Sequence, residues 1–129
     1  MKNQIIYVEL KSGYSDNGPA WIGKAQYSKS GKLLYFNGKA LRALTRRQNC
    51  ETHADMETGK LYWVSGVKKD QTDRHWAGGG KIMVDRSVVE EYMTHIGVTT
   101  LSKSKFKVVQ FDNTDIRDKV KQLANEKRN

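Results

Sequence analysis

The stretch Leu33-Leu34-Tyr35-Phe36-Asn37-Gly38-Lys39-Ala40-Leu41-Arg42 decides how this chain is read. Two runs of strand-forming residues flank an Asn-Gly pair. Both central positions of a type I′ turn need positive φ, which Asn and Gly tolerate best, so the pair is the strongest short signal for a β-hairpin. A two-residue loop puts Leu34 and Phe36 on one face with Lys39 and Leu41. Leu33, Tyr35, Ala40 and Arg42 then stand on the other. The fold is therefore built from antiparallel strands.

Upstream, Ala20 to Ser28 alternates, with Trp21, Ala25 and Tyr27 on one face and Lys24 and Gln26 on the other. Ser28 to Gly31 turns this strand into the hairpin. Ser12 to Pro19, with two glycines and the only proline, is a loop. Before it, Ile5-Ile6-Tyr7-Val8-Glu9-Leu10 is a first strand.

Downstream, the polar stretch Thr45 to Thr58 reads as a loop or a short edge strand. Leu61 to Val67 and His75 to Val84 read as a second hairpin around the charged loop Lys68 to Asp73. Gly78-Gly79-Gly80 interrupts its second run, as a bulge or a close approach of another surface would require. The following Lys81 invites comparison with a phosphate-binding loop. Such a loop needs Ser or Thr after the lysine and then a helix, whereas Ile82-Met83-Val84 is strand.

From Asp85 the period lengthens. Val88, Val89, Tyr92, Met93 and Ile96 form a helical stripe, with Ser87 and Glu90 spaced as a capping box and Gly97 at the C-cap. Phe106 to Phe111 is a further strand. Ile116, Val120, Leu123 and Ala124 mark a last helix. The expectation is an α+β fold: a strongly bent antiparallel β-sheet or small β-barrel, a covering helix at about 85–96 and a C-terminal helix at about 114–125. Residues 1–125 form one domain, and 126–129 fray.

A chain of 129 residues can bury a core without disulfides or metals. Its single cysteine, Cys50, and the absence of a membrane-length apolar run or a signal-peptide core point to the cytoplasm. The net charge of +9 is uneven: residues 1–50 carry +7, residues 51–85 carry −1, and the remainder +3. A cationic half is how an electrostatic footprint for a polyanion looks.

Catalytic candidates are thin. Asp73 and His75 share a strand face, as an Asp-oriented general base would, but no nucleophile or oxyanion donor accompanies them. A structural histidine at a loop exit accounts for the pair more simply. Cys50 and His53 have a metal-like spacing, yet one cysteine and three scattered histidines lack the paired pattern of a zinc site. No enzyme, cofactor or metal centre is expected.

Binding is better supported. The first half offers Lys24, Lys32, Lys39, Arg42, Arg46 and Arg47, with Tyr35 among them. The second offers Lys68, Lys69, Arg74, His75 and Trp76 around the charged loop. Cations for phosphates beside aromatics for stacking are the means by which sheets hold single strands, so single-stranded nucleic acid is favoured over duplex. The ordinary alternative is that a small β-domain needs its aromatics for the core.

Tyr62-Trp63-Val64-Ser65-Gly66-Val67-Lys68-Lys69, with Asp73-Arg74-His75-Trp76-Ala77-Gly78 and Gly80-Lys81-Ile82, resembles a block in small uncharacterised proteins of bacterial and phage genomes. So does Tyr7-Val8-Glu9-Leu10-Lys11 with Ala20-Trp21-Ile22-Gly23-Lys24-Ala25. The resemblance stops before the C-terminal helix and brings no functional residue with it. It implies an accessory or mobile-element setting, and hence a second function class: a phage-encoded protein that binds an acidic protein surface and inhibits a host complex. Neither reading involves a membrane.

Overall fold

A computed structural model describes residues 4–11, 18–45, 51–68, 81–112 and 120–121. Eight strands and one helix follow in order: β1 (Gln4–Leu10), β2 (Ala20–Tyr27), β3 (Leu33–Phe36), β4 (Lys39–Ala43), β5 (His53–Asp55), β6 (Leu61–Gly66), β7 (Ile82–Asp85), α1 (Val89–Ile96) and β8 (Phe106–Val109). Each of the first five strands pairs antiparallel with the next, and β6 returns to β1. Six strands thus close into a barrel, with β7 and β8 added in parallel beyond β2. Closure removes the exposed edges that an open sheet would leave to other chains.

The Asn-Gly hairpin forms as read, with Leu33 opposite Arg42 and Phe36 opposite Lys39. Asn37 and Gly38 take φ of 48° and 72°. The β1–β2 register sets Val8 against Trp21 and Gln4 against Ala25, which fixes the lumen-facing set. Ile6, Val8, Leu10, Leu34, Phe36, Leu41 and Tyr62 fill the barrel, with Phe111 joining from beyond β8.

A second core lies outside the barrel. The opposite faces of β1 and β2 present Ile5, Tyr7, Ala20 and Ile22, which pack with Ile82, Val84, Val88, Tyr92 and Phe106. β1 is thus buried on both faces, lumen and helix side, which explains the apolar run Ile5-Ile6-Tyr7-Val8 within it. Tyr92 is fully buried, edge-on to Phe106 at 5.7 Å. Burying such a side chain stabilises by ~1.5–3 kcal/mol.

The structure corrects several expectations. β5 is no edge strand; it sits between β4 and β6, and without it the barrel would stay open. β7 is not a hairpin partner of β6, because it pairs with β2 and β8 instead. Ser87 does not cap α1. Its hydroxyl donates to Asp85 Oδ2 at 2.7 Å, and a 3₁₀ turn at Arg86–Val88 precedes the helix. Gly97 does end α1, in the left-handed conformation at φ 75°. Of the C-terminal helix, Val120 and Lys121 are helical, and the rest of 114–125 lies outside the described residues, as do the glycine run 78–80 and the tail. No described helix is long and apolar enough to cross a membrane.

Candidate nucleic-acid interface

Alternation along β2, β3 and β4 splits the sequence-derived cations between two faces. On the outer face, Gln26 pairs with Tyr35, Tyr35 with Ala40, and Leu33 with Arg42. Lys24, Tyr35 and Arg42 therefore share that face. Arg42 is exposed, Tyr35 is half-buried, and Lys32 is exposed at the entrance to β3. Lys24 lies 3.4 Å from Glu91 on α1, with both side chains about half exposed. Solvent screening leaves such a pair little energy, but the carboxylate offsets some of the local charge.

Lys39 belongs to the other face. The Phe36–Lys39 register turns it toward the barrel mouth, where its Nζ stands 5.9 Å from the centre of the Trp21 ring. Trp21 in turn meets Tyr62, ring centres 6.3 Å apart. Burial first, and the Asp55 carboxylate second, hold the Tyr62 hydroxyl above its ordinary pKa of 10.0, so it is neutral at physiological pH. Lys68 is exposed after β6. Arg46, Arg47, Lys69, Arg74, His75 and Trp76 lie outside the described residues. Six of the proposed contacts are thus placed, and they do not form one patch.

The aromatics divide as well. Tyr62 is core, and Trp63 packs edge-on to Tyr7 at 6.0 Å with Lys11 Nζ 5.3 Å from its ring centre. Trp21 is half-buried at the mouth. Of the described aromatics, Tyr62 and Trp63 are thus spent on packing.

The acids matter more than the sequence suggests. Glu9, Glu51, Asp55 and Asp85 are buried. Glu9 takes hydrogen bonds from the Tyr7 hydroxyl and, at 2.6 Å, from Lys11 Nζ. Asp55 accepts the turn N–H groups of Glu57 and Thr58, and Asp85 accepts Ser87 Oγ and the Phe111 N–H. The exposed acids are Glu57, Glu90, Glu91 and Asp112, against twelve exposed lysines and arginines among the described residues. Burial thus makes the described surface more cationic than the composition.

Among the described residues no three or more His, Cys, Asp or Glu side chains gather as a metal site. His53 Nδ1 lies 2.7 Å from Thr52 Oγ1, and His95 Nε2 lies 3.2 Å from the Val67 carbonyl. Cys50 is outside the described residues.

Compared with family models, with curated proteins and with solved structures, the chain matches none of them. Of the exposed cations not named as contacts from the sequence, Lys81, Lys105 and Lys107 lie on or beside the two parallel strands β7 and β8. The alternation Lys103-Ser104-Lys105-Phe106-Lys107, polar residues around one core phenylalanine, is the signal that could have found two of them.

Proposed function

We propose that this chain is a non-enzymatic binding module for nucleic acid, with single strands favoured over duplex. The observation that supports the reading is the segregation of charge: half the described acids are buried within the fold, which leaves the described surface dominated by lysine and arginine. A polyanion gains from such a surface by releasing its condensed counterions. Its setting is cytoplasmic and accessory, in keeping with the resemblance to bacterial and phage-genome proteins.

Fluorescence-anisotropy titrations of labelled single- and double-stranded oligonucleotides at ~50 mM and ~200 mM salt test the reading, since phosphate-driven affinity falls by orders of magnitude over that range. Binding at low salt with a single-strand preference that survives at high salt supports it. Absence of binding at low salt overturns it and turns the search toward an acidic protein surface.

A further inference from the structure

The two parallel strands beyond the barrel carry the lumen-facing surface of β2 outward. Trp21 is in register with Met83 on β7, and Met83 with Lys107 on β8. One residue before Ile82 and Phe106, which pair with each other, stand Lys81 and Lys105. The Lys105 carbonyl accepts the Ile82 N–H at 2.8 Å, which fixes this level of the sheet. Ile82 and Phe106 point into the core beneath α1. By alternation Lys81, Met83, Lys105 and Lys107 stand on the opposite face. Strands lie about 4.8 Å apart, so Trp21 and Lys107 are separated by about 10 Å across a continuous ledge.

Chemically the ledge is one-sided. Lys81, Lys105 and Lys107 are exposed, Met83 and Trp21 are half-buried, and Lys39 overhangs Trp21 from β4. Asp85 shares this face, but it is buried, with Ser87 Oγ and the Phe111 N–H on its oxygens. Asp112 flanks the far rim beside Gly38. The exposed Glu90 and Glu91 belong to α1, which packs on the other face of the same three strands. Apart from Asp112 at the rim, the exposed carboxylates nearest these strands thus lie on the side away from the lysines of the ledge.

Resting on the reading of the chain as a nucleic-acid module, we propose that this ledge is the interface for a single strand. Bases lie against Trp21 and Met83, and phosphates lie on Lys39, Lys81, Lys105 and Lys107. Stacking on an aromatic beside flanking cations is sequence-tolerant, and it requires unpaired bases. Lysine on an edge strand has a second use, since its charge discourages further strand pairing. Glutamate serves that purpose equally well, so charge reversal separates the two roles.

The test compares three full-length proteins by anisotropy with a fluorescein-labelled oligothymidine at ~100 mM salt: wild type, Lys105→Glu with Lys107→Glu, and Lys32→Glu with Arg42→Glu on the outer face. Reversing two phosphate-binding lysines is expected to lower affinity at least tenfold and to flatten the salt slope, by about 0.7 for each phosphate of the single strand that is no longer neutralised. Far-ultraviolet circular dichroism and melting temperature should stay at wild-type values, because both ledge lysines are exposed. Oligothymidine should also quench tryptophan emission in wild type and Trp63→Phe, and quench it less in Trp21→Phe. If the outer-face pair abolishes binding while the ledge pair does not, the placement falls and the module stands. If wild type fails to bind at low salt, the functional reading itself falls. A preference for duplex of the same length overturns the single-strand assignment.

Discussion

The ring of Phe111 lies directly on the backbone of Gly23. β2 pairs with β7 through Ala20 to Ile22 and with β3 from Gln26 onward, so the edge between the two pairings is open. Phe111, two residues past the end of β8, fills that gap and meets Phe36 edge-on at 5.0 Å. Its own N–H reaches Asp85 Oδ1 at 3.2 Å. A residue that follows the last strand therefore completes the core of a barrel made by the first six.

A Cβ at Gly23 would fall within the Phe111 ring. Gly23→Ala is expected to destabilise by about 1–3 kcal/mol through overpacking. Phe111→Ala, which empties the gap, should cost about 3–5 kcal/mol. Because the two residues touch each other, the double variant should cost less than the sum of the singles. Urea unfolding followed by circular dichroism measures all three. An unchanged midpoint for Gly23→Ala would show that the ring is not seated there.

Glu9 and Lys11 form an ion pair, with Lys11 Nζ over the Trp63 ring, Glu9 fully buried and the Lys11 side chain 8% exposed. Removing one partner of such a pair strands the other charge in a poorly solvated site. Lys11→Met is expected to lower stability by about 3–5 kcal/mol, and Glu9→Met with Lys11→Met to recover part of that loss. A double-mutant cycle should give a coupling above about 1.5 kcal/mol. Additive single effects would mean that the pair contributes nothing as a pair.

Local chemistry makes much of this architecture legible. Asn37-Gly38 dictates a turn, and the alternation on each side of it assigns every facing residue of the hairpin. The same period places Trp21, Ala25 and Tyr27 on the lumen face of β2. What escapes depends on distant pairing. β5 has three residues, too few for a periodic signal, and only its neighbours β4 and β6 make it a strand. β7 resembles the second arm of a hairpin in sequence, but its parallel register with β2 brings together residues some sixty positions apart. The same non-local pairing hides the lysine ledge, since nothing local associates Lys107 with Trp21.

Gly31 and Gly38 offer a matched comparison. Both have positive φ, 76° and 72°, where an L side chain costs roughly 1–2 kcal/mol. A Cβ at Gly31 would meet nothing within 4 Å, whereas one at Gly38 would lie 2.6 Å from Asp112 Oδ2. The Asp112 N–H also bonds to Asn37 Oδ1 at 2.8 Å, tying the turn to the segment that carries Phe111. Gly38→Ala should therefore lower the melting temperature more than Gly31→Ala does. Equal losses would show that Asp112 yields without cost.

Tyr62 gives the fold an alkaline limit. Its hydroxyl is held above the ordinary pKa of 10.0 by burial and then by the Asp55 carboxylate, both of which disfavour the phenolate in the folded state. In the unfolded chain the same group ionises at its ordinary value. Stability contributed by the neutral hydroxyl is thus fully present below pH 10, and it declines as pH rises from there through the folded-state pKa. Tyr62→Phe removes that titration and Asp55→Asn weakens its second cause, so the drop in unfolding free energy above pH 10 should be smaller in Tyr62→Phe than in wild type. The measurement is urea unfolding at a series of pH values, with tyrosinate absorbance followed in parallel. If wild type and Tyr62→Phe lose stability along the same curve, the hydroxyl is not shielded as its packing against Trp21 implies.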